Sequence, residues 1–394
     1  MSGAPFRLAY LCSDPGIAAD GHKGASVHFR ELARALRVQR VDGREVALSP
    51  FMARGGPDAA RGLPGLRVVG SAGGDGVERE LRTFAASAAM LDALLESAPH
   101  DAVYERLALF GMAGLAYAKP RGLPHVVEVN APLWEEAARY RSLGLPGTAR
   151  AAALEVLHNA SLVFVVSQAL AAQLAALGID RDKLHVMGNG VRLDAFDGAV
   201  PAPRPAPLRG KPVLLFVGSL KPWHGLEFLL EAFAACRTQR ELGLWIVGDG
   251  PLRETVRAAA ARFPGDVVVQ GAVPHEDVPG ILTAADVVVA PYGADAPEYF
   301  SPLKVVEAIA ARRPLLASRT PSVIEACGDA PGVALHEPGD VLGFARALDA
   351  LLSRGPAGVM DSEFRRALAW SQKAQRVLAA VSPCGSRRED HVAG

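Results

Sequence analysis

The run Ser301-Pro-Leu-Lys-Val-Val-Glu307 follows a strand-like stretch, Asp286-Val-Val-Val-Ala-Pro-Tyr292, and offers the densest set of residues able to hold an anion. Ser301 can cap a helix through its hydroxyl, and Pro302 at the first helical position has a suitable fixed φ and no N–H to leave unpaired. The spacing therefore predicts a helix whose free N–H groups and positive dipole end lie at the C-terminal edge of a strand. Lys304 falls in its first turn, where a cation opposes the dipole, and a bound anion would resolve the conflict. Glu307 shares a face with Lys304 and Leu303, and a carboxylate there could accept hydrogen bonds from a ribose diol. The same spacing fits a plain exposed Lys304–Glu307 ion pair worth about 0.2–0.5 kcal/mol.

Three other loops carry polar or glycine residues at expected strand ends. Val217-Gly-Ser-Leu-Lys-Pro-Trp-His-Gly225 places Gly218, Ser219, Lys221 and His224 in a turn where the backbone could approach a phosphate, although glycine turns close many βα units without binding anything. Gly248 and Asp249 in Val247-Gly-Asp-Gly-Pro251 read first as a tight turn before a proline-started helix. In the first half, the polar loop from Asp14 to Gly24 faces the ligand edge of its sheet, with Gly24 as a substrate contact. Glu128, Asn130 and Glu135 in Glu128-Val-Asn-Ala-Pro-Leu-Trp-Glu-Glu136 suit a polyol site, or equally a solvated, helix-capping turn.

The elements that must position these loops come from alternation. Short apolar runs at 6–12, 45–48, 66–69, 102–104, 126–129, 162–166 and 184–187 alternate with amphipathic segments, the pattern of βα units around a parallel sheet. Phe29, Leu32, Ala33 and Leu36 fall at i, i+3, i+4 and i+7 and predict a helix with one buried stripe. At 199–210 alternate prolines remove donors and favour an extended linker. The alternation restarts at 213–217, 244–247, 267–269, 287–290 and 315–317. The expectation is α/β: two Rossmann-like domains, at 1–198 and 211–358, with a C-terminal helix and tail at 359–394 able to pack back on the first domain.

Composition bounds the function. A chain of 394 residues suits two cores. Lys plus Arg and Asp plus Glu are both 42 and divide evenly between the first 200 residues and the rest, which argues against nucleic acid as partner and gives no support for adhesion to anionic lipid. Cys12, Cys236, Cys327 and Cys384 show no metal or disulfide spacing, and no signal-peptide pattern opens the chain. A cytoplasmic protein without a metal site or transmembrane segment is expected, a reading compatible with peripheral membrane contact.

Gly218-Ser-Leu-Lys-Pro-Trp-His-Gly225, Gly248-Asp-Gly-Pro251, Ala285-Asp-Val-Val-Val-Ala-Pro-Tyr292 and Ser301-Pro-Leu-Lys-Val-Val-Glu307 occur in this order, with Arg313-Pro-Leu-Leu-Ala-Ser318 and Pro338-Gly-Asp340 after them and Gly188-Asn-Gly-Val191 before. Together they resemble glycosyltransferase family 4. The resemblance implies the two-domain GT-B fold and sugar transfer with retention of anomeric configuration and without a metal. It also implies a nucleotide-diphosphate sugar donor on the C-terminal domain and an acceptor, small molecule or glycan, presented by the N-terminal domain across a cleft. No separate cofactor is implied. Glu307 matches the second carboxylate of the family's E-x7-E motif, which holds the ribose, and Ser301, Leu303 and Lys304 match the turn whose backbone approaches the diphosphate.

This sequence departs from the family at two points. The first carboxylate of E-x7-E falls on Tyr299, with Glu298 one residue early, and the usual Arg and Lys of the glycine turn fall on Ser219 and His224. Lys221 and Lys304 are the available cations; His224, ordinarily titrating near pH ~6.5, is expected to charge against the diphosphate if it faces it, or else to pack beside Trp223 and shape the turn. Negative charge grows on the departing diphosphate, so Lys304, with Glu298 and His224 beside it, forms the expected catalytic set. A nucleotide-sugar epimerase of the same architecture, or a non-catalytic subunit that keeps the fold, are the alternatives.

Overall fold

The computed structural model describes residues 4–21, 24–58, 62–70, 76–140, 142–354 and 363–382. His22 and Lys23 of the first polar loop, the Gly355 to Gly358 break and Cys384 lie outside them. The chain divides into two units, one built from 1–190 with 370–394 and the other from 191–369. The chain passes between units at Gly190/Val191 and Ala369/Trp370. The proline-rich segment 199–210 lies within the second unit, where the Ala202 amide donates to Gly280 and Leu208 is fully buried. The helix Trp370–Val381 belongs to the first unit.

The first unit holds β1 (Phe6–Cys12), β2 (Arg40–Val41), β3 (Arg44–Met52), β4 (Arg67–Val68), β5 (Ala102–Arg106), β6 (His125–Val129), β7 (Leu162–Val165) and β8 (Leu184–Val186). They form one sheet in the order β2-β3-β1-β5-β6-β7-β8, with β4 also on β3. All its pairings are parallel except the β2–β3 hairpin. That hairpin closes through Asp42 and Gly43, both at positive φ (49° and 79°), the two-residue turn that Asp-Gly favours. Strand alternation splits the core: Leu8, Tyr10 and Cys12 face Phe29, Leu32, Leu36, Val377 and Leu378, while Ala9 and Leu11 face Met90, Leu94 and Tyr117. The helix stripe expected at Phe29, Leu32, Ala33 and Leu36 is wholly buried.

The second unit holds β9 (Val213–Val217), β10 (Gly243–Val247), β11 (Val267–Gln270), β12 (Val287–Ala290), β13 (Leu315–Ser318) and β14 (Val333–His336). The order is β11-β10-β9-β12-β13-β14, all parallel. In sequence terms this is 3-2-1-4-5-6, the doubly wound Rossmann order, which reverses between β9 and β12. Along β9, Val213, Leu215 and Val217 enter one core and Leu214 and Phe216 the other, so helices cover both faces. The crevice beyond the carboxyl ends of β9 and β12 is where such a sheet receives a ligand. Those two ends carry the loops singled out above.

Candidate functional site

The floor of that crevice is made of backbone. The Gly218 amide donates to Val247 and the Leu220 amide to Asp249, each at 3.0 Å, so the loops after β9 and β10 are stitched together. Glycine is needed where they meet: Gly248 has φ +145°, and a Cβ there would lie 1.9 Å from the Gly218 carbonyl oxygen. Gly218 itself has φ +143°. Asp249 serves this turn, accepting from the Gly250 amide at 2.7 Å and pairing with Arg253 at 2.8 Å.

Lys304 comes up beneath the floor from the helix Leu303–Ala310. This helix begins one residue later than expected. Pro302 is its N-cap, with no side-chain capping bond, so Ser301 does not cap it. The shift sets Lys304 at the second helical position and turns it inward, where it is 6% exposed. Its Nζ lies 4.2 Å from the centre of the Phe216 ring and 4.7 Å from that of Tyr292, beside Gly218, with no hydrogen-bond partner. Burial pushes the ammonium down to about 7, with Glu307 acting weakly in the other direction. The exposed Lys304–Glu307 ion pair therefore does not form. Glu307 is directed elsewhere and accepts a hydrogen bond from His275 Nε2 at 3.2 Å.

His224 sits over the same aromatic wall, its ring centre 5.6 Å from that of Tyr292 and 6.1 Å from that of Phe216. Its Nδ1–H donates to the Ser219 carbonyl, leaving Nε2 as the free ring position. Burial pushes the imidazole down to about 3, and Lys304 and Lys221 add to that push while the Ser219 carbonyl opposes it. In the free protein His224, half-buried beside two lysines, is therefore held below the ordinary histidine range. Lys221 covers the outer rim, Nζ 4.7 Å from the Trp223 ring centre. Glu298 is exposed in the turn before Tyr299.

In the first unit the structure gathers Glu128 and Asn130 and leaves Glu135 apart. Glu128, at the end of β6, is 1% exposed. Its carboxylate accepts from His28 Nε2 (3.0 Å), Tyr104 Oη (2.5 Å), Arg106 (3.1 Å) and Asn130. Burial alone would raise its pKa, yet His28, Arg106 and Tyr104 hold the carboxyl well below the usual carboxylate range. With its acceptor positions taken, Glu128 organises this strand edge, and Asn130, half-buried at its rim, is the member nearest to solvent. Glu135 is exposed and accepts from Gln173 at 2.6 Å. Gly24 opens the helix Gly24–Arg37. His28, on that helix, also meets Asn189 (3.0 Å) and the edge of Trp370.

Sequence reading missed Phe216 and Tyr292 as the walls around Lys304, His275 as the partner of Glu307, and His28, Tyr104 and Arg106 around Glu128. Tyr104 and Arg106 alternate onto one face of β5, which the sequence does show, but the register that sets Arg106 beside Glu128 emerges only in the fold. Among the described residues no helix is long and apolar enough to cross a membrane.

Comparison with known proteins bears on both units. The model for "Glycosyltransferase Family 4" matches residues 22–195 and that for "Glycosyl transferases group 1" matches residues 211–354. A D-inositol 3-phosphate glycosyltransferase of Xylanimonas cellulosilytica is 27% identical over 95% of this chain and 94% of its own. The 2-deoxystreptamine glucosyltransferase of Streptomyces kanamyceticus is 30% identical, and the match spans only 42% of its length and 42% of this chain. Among solved structures, Anabaena HepE in complex with UDP-glucose superposes with a TM-score of 0.69 at 17% identity, over 95% of this chain and 99% of that one.

Proposed function

Since this chain belongs to the family 4 glycosyltransferases of GT-B fold, we propose that it moves a sugar from a nucleotide-diphosphate donor, held by the second unit, to an acceptor hydroxyl with retention of configuration. The observation that carries this reading is Lys304: a buried cation without a hydrogen-bond partner, at a helix N-terminus, beside a glycine turn and at the point where the strand order reverses. Such a group is costly until an anion arrives. A diphosphate above Gly218 supplies that anion. The Gly218 turn lets the diphosphate approach closely, and the first turn of the Leu303–Ala310 helix offers N–H groups to the oxygens where charge accumulates as the sugar–phosphate bond breaks.

Glu307 takes the ribose hydroxyls in this scheme, with His275 fixing its carboxylate. His224 offers a neutral Nε2 at the sugar end, and Lys221 closes the outer side. Glu298 stands near enough in sequence to serve the donor sugar once the 295–301 turn settles on it. The leaving phosphate can accept the acceptor's proton, so no protein base is required. UDP sugars are the first donors to try, in line with the nucleotide in HepE. A polyhydroxylated acceptor fits relatives named for D-inositol 3-phosphate and 2-deoxystreptamine, and Asn130 and Gly24 belong to the side proposed to receive it. A thermal-shift screen of UDP, GDP, ADP and dTDP sugars tests the donor assignment. A true donor at a hundred times its Kd stabilises by about 2.7 kcal/mol. Epimerised sugar nucleotide released without any acceptor would instead make the protein an epimerase.

A further inference from the structure

Asn130 follows β6 at the ligand edge of the first sheet, at the rim of the Glu128 network. Among the described residues its side chain makes one hydrogen bond, from Nδ2–H to a Glu128 oxygen. It does not cap the helix Leu133–Tyr140, because a cap would need Oδ1 to accept from a backbone N–H of that helix. The amide turns back to the strand instead. Oδ1 is left without a partner among the described residues and reaches solvent.

Which end of the amide faces outward follows from the chemistry of Glu128. An ionised carboxylate accepts hydrogen bonds and donates none, and its two oxygens offer about four acceptor positions. His28 Nε2, Tyr104 Oη, Arg106 and Asn130 Nδ2 fill them. Burial disfavours the charged form of Glu128, yet His28, Arg106 and Tyr104 outweigh burial and keep it ionised. Turning the Asn130 amide over would set Oδ1 against a carboxylate oxygen, exchanging a charge-assisted bond for a repulsion. The orientation is therefore fixed before any ligand arrives.

We infer that Asn130 determines acceptor specificity, its Oδ1 taking a hydrogen bond from an O–H or N–H of the acceptor. The inference rests on the reading of the chain as a sugar transferase whose acceptor meets the first unit. A buried ion network is costly to build, and this one spends that cost on holding a single amide in one direction, which is how a site is organised in advance of its ligand. A hydroxyl or an amine satisfies the waiting oxygen. An ether or ester oxygen at the same place has no proton to give and would set two lone pairs face to face, so the site selects polyols and amino polyols that are free at the position read by Asn130.

Transfer from the donor found in the thermal-shift screen is measured to myo-inositol, glucosamine and methyl glucoside, and then to each monodeoxy derivative of whichever is taken best. Wild type should lose about tenfold or more in kcat/KM for one of those derivatives. Asn130→Ala, in which Glu128 keeps His28, Tyr104 and Arg106 as donors, should stay folded and keep the wild-type donor Kd. It should raise the KM of the parent acceptor by about the same factor and treat the parent and that derivative alike. A merely structural asparagine would leave the discrimination intact. Without any acceptor, the Asn130 side-chain amide, assigned in nitrogen–proton correlation spectra by its absence from Asn130→Ala, should exchange with water more slowly than exposed asparagine amides. Exchange as fast as theirs, a wild type indifferent to every deoxy derivative, a variant that keeps the wild-type discrimination, or a wild type that binds donor yet glycosylates none of the three compounds would each overturn the inference. A protein that binds no nucleotide sugar would instead sink the transferase reading, and the spectrum would still judge the amide.

Discussion

The Nζ of Lys304 stands 4.2 Å from the centre of the Phe216 ring and has no hydrogen-bond partner. A desolvated cation over an aromatic face gains about 2 kcal/mol, whereas removing an ammonium from water costs several kcal/mol. The aromatic wall therefore offsets only part of the cost, and the remainder is free energy that an incoming diphosphate can recover.

Replacing Lys304 by methionine should therefore stabilise the protein while removing its affinity for donor, the reverse of what a structural lysine would do. For a unit of this size each kcal/mol gained raises Tm by about 2–4 °C. Because burial lowers the Lys304 pKa from 10.5 to about 7, the unfolded chain binds the extra proton between those values, so wild-type stability rises with pH across that window. The advantage of Lys304→Met should be greatest below about pH 7 and vanish toward about pH 10.5. Thermal melts of both proteins at several pH values check the sign.

Donor affinity should follow the same group. A bound diphosphate favours the ammonium, so binding at pH values above about 7 must take up a proton. Affinity is then greatest below that value and weakens by up to about tenfold per pH unit above it, until the raised pKa of the complex is reached. Calorimetry in buffers of different ionisation enthalpy measures the proton directly. His224, already pushed down to about 3, should contribute no step between pH ~5 and ~9. His224→Gln should keep the wild-type slope.

The Glu307 and Glu128 carboxylates should separate cleanly. Glu307→Gln should weaken the nucleotide sugar by roughly 1–3 kcal/mol while leaving Tm nearly unchanged. Glu128→Gln leaves the buried Arg106 without its counter-charge and should cost about 3–5 kcal/mol of stability in the first unit, with donor binding retained. Loss of donor binding in Glu128→Gln, under conditions where it is folded, would contradict this division.

Turnover should be indifferent to EDTA, because the charges assigned to the diphosphate come from Lys304, Lys221 and backbone N–H groups. Activity lost with chelator and regained with magnesium or manganese would count against that assignment.

Much of this was legible in residue order. Hydrophobic alternation located five of the six strands of the second unit, and Gly218, Lys304 and Glu307 could be set at strand ends because each follows a short apolar run. β14 gave a weaker signal because Val-Ala-Leu-His carries one β-branched residue and ends on a histidine, where the equally short β11 and β12 are runs of valine. The fate of Lys304 was not legible, since one residue's shift in the helix start decides whether it faces solvent or the Phe216–Tyr292 wall. Nor was the crowding around Glu128, which depends on β5 lying beside β6 in a register that sets Arg106 opposite it. His224 illustrates the same limit: its type suggested a charge near neutrality, and its half-burial beside two lysines pushes its titration lower in the free protein.

The most direct test is titration of wild type and Lys304→Met with UDP-glucose, then GDP-, ADP- and dTDP-glucose, by calorimetry at pH ~7, with the melting temperature of each protein recorded alongside. Saturable binding of one nucleotide sugar to wild type, lost in a Lys304→Met protein that melts at least as high, is the predicted result. Equal binding by both proteins, or loss of binding accompanied by a lower melting temperature, would contradict the assignment of Lys304 as the group that receives the diphosphate.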